Sequence, residues 1–269
     1  MYPILVSLGP FHLYSFGTLF VIGIIISWLL TRYLVHFYRL QLRHVYVLLP
    51  WVIIVGIVTA RLGYVMTNFS KFAHNFWSIF AFQSWLTELD MWAGIVGVFC
   101  MAMIYWLKHH ESVFLWLDVL TLGIQPSIFF IALGLHLSPV GLTTHALGQP
   151  TSLPWGIVVD SVDLPFANVP VHPILLYYAF AAVIVFVGAW LLRRWAKLYV
   201  GRLFVWMTAV FGLNWLFIFF VQWHSEGAFL GFDVALFNAM LYIGIAVICG
   251  VYIVRKRYWA TIKADEKLV

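Results

Sequence analysis

Few charged side chains lie inside the long apolar runs of this sequence, and two of them are candidates for a function. Arg61 occurs in TARLGYV and Asp118 in LWLDVL. If these runs cross a membrane, each charge costs roughly 3 kcal/mol or more, which makes both residues functional candidates. The planar guanidinium of Arg61 could bind a lipid phosphate through two parallel hydrogen bonds, or it could extend to headgroups at the membrane surface. For Asp118 we predict a structural role, in which its carboxylate accepts hydrogen bonds from the end of a neighbouring helix.

Four histidines lie near the ends of apolar runs or in the longest connection between runs: His136, His145, His172 and His224. Imidazole is a common metal ligand and a common general base. No HxxxH or HExxH spacing joins these residues, so we predict no metal site. His136, His145 and His172 are candidates for a catalytic base, with ordinary histidines at a membrane interface as the alternative.

The aromatic content is high, with 14 Trp residues and 19% Phe, Trp and Tyr together. Two belts of aromatic residues at the membrane surfaces need fewer rings. The rings could form a lateral surface that binds another membrane subunit, a quinone or a pigment. They could also be a coat that faces lipid, and the sequence leaves both interpretations open.

The elements that position these residues are predicted to be transmembrane helices. The chain is 64% hydrophobic and 9% charged, whereas a soluble domain has about a quarter of its residues charged. Apolar runs of about 20 residues without strict alternation predict helices rather than a barrel. We predict an all-α integral membrane protein with seven spans, at Tyr14–His36, Val45–Thr67, Met91–Leu107, Phe114–Leu137, Ile174–Leu192, Leu203–Trp223 and Val234–Val254. The amphipathic segment Asn68–Leu86 is predicted to lie in the interface.

Basic residues are distributed unequally between alternate connections. Connections two, four and six contain one basic residue, Lys71. The other connections and the tail contain Arg39, Arg43, Lys108, Arg193, Arg194, Lys197, Arg202, Arg255, Lys256, Arg257, Lys263 and Lys267. Because positive connections stay in the cytoplasm, we predict an external amino terminus and a cytoplasmic carboxyl terminus.

The longest connection, Ser138–Pro170, is rich in Gly, Pro, Thr and Ser and is predicted to be an external loop between helices four and five. Long irregular loops often carry function, although this one could also only close the helix bundle. We interpret residues 1–269 as a single transmembrane domain that ends in a cytoplasmic tail at about 255–269.

A series of fragments, in order along nearly the whole chain, resembles the prolipoprotein diacylglyceryl transferase family. ARLGYV is similar to the family's GRxGYV segment, and VHPILLYY is similar to its HPxQLYE segment. DMWAGIVG lies where the family has SFHGGLxG, and Asp118 matches an Asp before the family's signature helix. The remaining fragments are SLGPFHLYSFG (Ser7–Gly17), GQPTSLPWG (Gly148–Gly156) and GRLFVWMTAVFGLNWLFIFF (Gly201–Phe220).

The resemblance implies seven transmembrane helices in the orientation given above, in a bacterial inner membrane. It also implies transfer of the diacylglyceryl group of phosphatidylglycerol to the lipobox cysteine of a lipoprotein precursor, without a cofactor. Such a site needs cations for the departing phosphate and a base for the thiol. The lipid-binding residues expected here are Arg61, Tyr64, Gly148, Tyr177 and Asn214.

This chain departs from the family pattern at its charged positions. No Lys or Arg occurs between Lys108 and Arg193, where the family has the Arg of its GRxGN signature. Asn214 and Ile218 stand at the sixth-helix RxxxE positions, and Trp92 stands at the HGG histidine. Of the family's cationic phosphate site, the resemblance leaves only Arg61.

Three functional hypotheses follow. The first is a divergent family member without the full chemistry, which binds a phospholipid or an apolar peptide in a central cavity. The second is an active transferase that uses replacement residues such as His136, His145 or His172. The third is a structural subunit that binds other membrane subunits through its aromatic surface. Phosphatidylglycerol is the expected lipid partner and a lipoprotein precursor a further one, and no nucleic-acid partner is expected.

Overall fold

The structure is a computed structural model, and it describes residues 4–8, 11–72, 89–138, 148–158, 168–196, 200–223, 228–229 and 232–265. The chain divides into two compact units. The first unit is Met1–Leu34 with Phe114–Val269, and the second unit is Val35–Val113. Each unit has its own set of packed helices. That the chain is one transmembrane domain stays a prediction.

Helices dominate the described residues. They are α1 (Ser15–Phe37), α2 (Leu42–Thr67), α3 (Phe69–Phe72), α4 (Met91–Lys108), α5 (Val113–Gly123), α6 (Gln125–Leu137), α7 (Ile174–Ala196), α8 (Arg202–Val221) and α9 (Val234–Asp265). Within the described residues, six helical segments are long and apolar enough to span a membrane, with α5 and α6 together forming one of them, and α4 is apolar but shorter. The predicted all-α membrane class is therefore confirmed. A seventh span and the orientation stay predictions.

Short strands, which the sequence did not predict, form three antiparallel pairs within the described ranges. They are β1 (Ile4–Leu8) with β2 (Phe11–Tyr14), β3 (Ile157–Val158) with β4 (Pro170–Val171), and β5 (Ala228–Phe229) with β6 (Phe232–Asp233). Of the predicted interfacial segment, only its first residues are described, and they contain α3. The rest of that segment lies outside the described residues.

The predicted fourth span is two consecutive helices rather than one. α5 ends at Gly123 and α6 begins at Gln125, with Pro126 in its first turn. Proline has no N–H for the preceding turn, which interrupts the hydrogen-bond ladder. The side chain of Gln125 compensates in part, since its Nε2 donates to the carbonyl oxygen of Thr121 over 2.7 Å.

The helices of the first unit approach closely at small residues. α7 packs against α6 and α8, and α8 packs against α9. On α7, Ala181, Ala182 and Ala189 are fully buried. α1 is joined to α6 by polar contacts as well, because Ser127 donates its hydroxyl to Ser27 Oγ over 2.7 Å. Small residues and interhelical hydrogen bonds of this kind hold membrane helices together where lipid offers no hydrophobic driving force.

The second unit is built on the α2–α4 pair. A Cβ at Gly63 would overlap Ala93, and one at Gly97 would overlap Thr59, so glycine permits the close approach. Asp90 caps the start of α4, where its carboxylate accepts from the Ala93 N–H over 2.8 Å. This close pair determines where the residues of α2, including Arg61, can lie.

Candidate functional site

Arg61 is buried inside the second unit. Its side chain is 2% exposed, although it lies in the apolar helix α2. The guanidinium carbon lies 5.9 Å from the ring centre of Tyr64, one turn further along α2, and 5.4 Å from that of Phe72 on α3. Cation–π contacts at these distances stabilise a desolvated guanidinium.

The two rings that face Arg61 also contact each other. The rings of Tyr64 and Phe72 meet edge to face with centres 6.3 Å apart. Phe72 is itself buried, so α3 covers the guanidinium from one side. Arg61 and Tyr64, both predicted to bind lipid, are therefore brought together, and a lipid phosphate that reaches Arg61 must come close to Phe72.

Asp118 lies in the first unit and is completely buried. Its carboxylate accepts from the backbone N–H of Gly201 over 2.6 Å and from that of Phe204 over 2.9 Å. These donors belong to the start of α8, where the first N–H groups of a helix have no partner within the helix. Asp118 thus makes the contacts that a structural role requires.

His172 and Tyr177 form a hydrogen-bonded pair where the chain enters α7. The Tyr177 hydroxyl lies 2.8 Å from His172 Nδ1 and accepts from the indole N–H of Trp155 over 3.2 Å. Burial lowers the pKa of the His172 imidazole below its ordinary value of about 6.5, so the ring is neutral at pH 7. A neutral imidazole can accept a proton at one nitrogen and donate from the other, according to its tautomer.

Backbone hydrogen bonds hold this pair on a small platform, formed by residues 148–151, residues 170–172 and the end of α8. His172 N donates to the Gln149 carbonyl over 3.1 Å, and Gln149 N donates to the Val221 carbonyl over 2.8 Å. Gly148 lies against His172 so closely that an added Cβ would overlap the His172 backbone. Only glycine fits this approach without displacement.

Comparison with known proteins assigns the chain to a family. The family model for prolipoprotein diacylglyceryl transferase matches residues 3–263. The chain belongs to that family. Its curated relatives include a phosphatidylglycerol–prolipoprotein diacylglyceryl transferase from Tolumonas auensis, 29% identical over 226 residues, which are 81% of this chain and 82% of the relative.

Two further relatives with the same name give similar figures. The protein from Pseudomonas putida is 28% identical over 197 residues, which are 71% of this chain and 70% of the relative. The one from Legionella pneumophila is 27% identical over 194 residues, which are 70% of this chain and 71% of the relative. The family resemblance seen in the sequence is confirmed, and this diacylglyceryl transferase family member is a multi-pass membrane protein.

The other predicted site residues of this family member are scattered. His136 is half-buried on α6, while His145 and His224 lie outside the described residues. Asn214 is on α8, where its buried Nδ2 has no hydrogen-bond partner among the described residues. Within the described ranges, no group of three or more His, Cys, Asp or Glu residues could hold a metal ion.

Sequence reasoning missed two residues that contact these positions, and one further buried polar residue. Phe72 and Trp155 are contacts made by folding, Phe72 to Arg61 and Trp155 to Tyr177, and no local pattern indicates them. Asn238 on α9 is 2% exposed, and its Nδ2 has no hydrogen-bond partner in the part of the chain that the structure describes. The signal that found Arg61, a polar residue in an apolar run, would also have found Asn238.

Proposed function

We propose that this chain is a phospholipid-binding member of the prolipoprotein diacylglyceryl transferase family, in which transfer is absent or very slow. The observation that supports it is the buried Arg61, 2% exposed in an apolar helix and faced by two rings. A cation held in that setting suits a phosphodiester, because an anion offsets the cost of its burial. The relatives' names specify phosphatidylglycerol, which we take as the lipid, in a bacterial inner membrane.

The slow transfer follows from what the reaction demands. In the reaction implied by the family, the acceptor thiolate forms a bond to a glyceryl carbon, and the bond from that carbon to the phosphate oxygen breaks. The leaving group is glycerol phosphate, whose phosphate oxygen keeps the electron pair of the broken bond. Removing one preorganised donor from such a site costs about 3–4 kcal/mol, or 10² to 10³ in rate. No Lys or Arg occurs between Lys108 and Arg193 or between Arg202 and Arg255, which leaves Arg61 to meet this charge.

Complementation tests this proposal. A strain depleted of its own transferase would receive this chain, the Tolumonas auensis relative as a positive control, or an empty vector. We expect growth only with the relative. With purified proteins, transfer from labelled phosphatidylglycerol to a lipobox peptide should be at least about 10²-fold slower for this chain. Rescue of growth by this chain would overturn the proposal.

An active transferase is the second candidate, and the His172–Tyr177 pair favours it. A neutral imidazole 2.8 Å from a hydroxyl is a chemically suitable base for a thiol. This candidate requires that the chain rescues growth and that His172→Gln abolishes the rescue. His36→Gln, at an exposed histidine of α1 that is not a candidate base, is the matched control and should retain it.

A further inference from the structure

A polar cavity of about 390 Å³ opens between one end of α2 and one end of α4, within the second unit. It lies where α2 begins, after the connection that contains Arg39, and where α4 ends at Lys108. Six polar residues line it: Gln41, Arg43, His44, Tyr105, His109 and Glu111. This α2–α4 pocket contains no residue that the family resemblance assigns to transfer.

His44 is the centre of a hydrogen-bonded chain in the pocket wall. It is 8% exposed, with Nε2 3.0 Å from the Glu111 carboxylate and Nδ1 2.9 Å from the Tyr105 hydroxyl. The ring of His109 lies on that of Tyr105, with centres 4.4 Å apart. Among the described residues, the one carboxylate that lines the pocket is therefore already paired with an imidazole.

The remaining groups of the α2–α4 pocket favour an anion. Arg43 is exposed, and within the described part of the chain its side chain makes no hydrogen bond or ion pair. α2 begins at this pocket, and its N-cap residue Gln41 makes no side-chain cap hydrogen bond. The N–H groups at the start of α2 point toward this end, and the helix dipole adds positive potential to that of Arg43.

We propose that the α2–α4 pocket binds a phosphate group. Arg43 would hold the phosphate oxygens as a planar fork, with Gln41 and His109 available as further donors. A divalent cation is disfavoured, because the single lining carboxylate is paired and an arginine lies beside it. An apolar ligand is disfavoured by the polar lining. Basic pockets between membrane helices near the bilayer surface bind anionic headgroups, so the phosphate can belong to a lipid or to a soluble phosphomonoester.

Binding to purified protein in phosphatidylcholine nanodiscs tests the proposal and separates the two sources. One arm adds phosphatidic acid and the other adds glycerol 3-phosphate, with retention measured by native mass spectrometry. Both arms are repeated in an Arg61→Gln background, so that binding at Arg61 does not contribute. We expect at least one probe to bind in both backgrounds. Binding of phosphatidic acid alone identifies a headgroup site, and binding of glycerol 3-phosphate identifies a soluble ligand.

Substitutions locate the binding. Arg43→Gln should weaken it about tenfold, the usual effect of losing a hydrogen bond to a charged group. The matched control is Arg39→Gln, an exposed arginine of the same connection that does not line the pocket, and it should bind like the unchanged protein. Because Arg43 is exposed, both variants should melt like the parent. Equal binding by the Arg43→Gln and Arg39→Gln variants, or no binding of either probe, overturns the proposal.

Discussion

Arg61 combines a permanent charge with almost complete burial, and its contacts depend on the flat shape of the guanidinium. Tyr64 and Phe72 face it at 5.9 and 5.4 Å. A lysine keeps the charge but neither stacks on rings in the same way nor binds a phosphate through two parallel bonds. The Arg61→Lys variant therefore separates the role of shape from the role of charge.

We expect Arg61→Lys and Arg61→Gln to lose the anionic phospholipid that the unchanged protein retains in native mass spectrometry. The stability of Arg61→Lys should fall by about 1 kcal/mol or less, the size of a cation–π contact. Arg32→Lys, at an exposed arginine of α1, is the matched control and should retain the lipid. Equal retention in all variants would make Arg61 a structural residue.

The ionisation of His172 gives a prediction about pH. Burial lowers its pKa, so the folded protein binds this proton less readily than the unfolded chain does. Above the ordinary value of about 6.5 both states are neutral at His172, and the residue does not affect the pH dependence of stability. As the pH falls below that value, the unfolded state gains protons first and the folded state loses stability.

We therefore expect the His172 signal in an NMR titration to have its midpoint below about 6.5. The melting temperature should fall less steeply on acidification for His172→Gln than for the unchanged protein. A midpoint at or above 6.5 would contradict the desolvation of this ring. The ring nitrogen shifts in the same titration show which tautomer faces Tyr177.

The sequence predicts the residues whose importance is visible in their own segment, and it does not predict contacts between separate elements. Arg61 and Asp118 could be found because a charge in an apolar run is visible in the sequence itself. The cover that Phe72 provides, and the bond from Trp155 to Tyr177, join elements whose packing the sequence does not specify. The lipid contacts predicted for Gly148, Tyr177 and Asn214 stay predictions.

At the scale of elements, long apolar runs predicted the helices well, but they did not predict the helix break or the short strands. The predicted seventh span begins at Val234, where α9 begins. The run Phe114–Leu137 concealed the break before Gln125, because hydrophobicity continues through it, although Pro126 was a visible signal. The short strand pairs were missed because two-residue strands have no periodicity to detect.

The platform that supports His172 depends on one close approach at Gly148. An alanine there would overlap the His172 backbone, so residues 148–151 would have to shift. We expect Gly148→Ala to lower stability by about 1–3 kcal/mol, the usual cost of overpacking, and to displace His172 from Tyr177. Thermal melts and the His172 NMR signal measure these two effects.

Gly244→Ala provides the control for this substitution. Gly244 is on α9, and a Cβ there would meet no atom of the described residues within 4 Å. Because alanine is the better helix former, this variant should be as stable as the parent or slightly more stable. If both variants melt alike, the close approach at Gly148 has no energetic consequence.

At the scale of the whole molecule, the exposed apolar side chains have an explanation that needs no partner protein. Large exposed hydrophobic residues occur along the spanning helices, among them Phe20, Ile53, Phe180 and Ile248. Apolar side chains that face lipid are expected to be exposed in this way, because lipid rather than protein covers them. Binding of other membrane subunits stays a prediction. Purification in mild detergent would support it if further subunits co-purified in fixed ratio.

Orientation is the property of the whole molecule that the sequence predicts most directly. Twelve basic residues lie in the odd-numbered connections and the tail, and Lys71 is the one basic residue in the even-numbered connections. Positive connections are retained in the cytoplasm, so we expect the platform with His172 and Trp155 to lie outside and the tail inside. The α2–α4 pocket would then lie on the cytoplasmic side.

Cysteine labelling in intact cells tests this orientation. Cys100 and Cys249 are replaced by alanine first, because Cys100 is exposed and Cys249 is partly exposed. Ser152→Cys is a suitable reporter for the outer side, since Ser152 is exposed beside the platform. We expect a membrane-impermeant maleimide to label Ser152→Cys in intact cells and to label Lys108→Cys and Lys263→Cys only after permeabilisation. The reverse labelling pattern would mean that the protein has the opposite orientation in the membrane. Labelling of Lys108→Cys but not Lys263→Cys in intact cells would mean that the two lie on opposite sides, which contradicts the predicted number of spans between them.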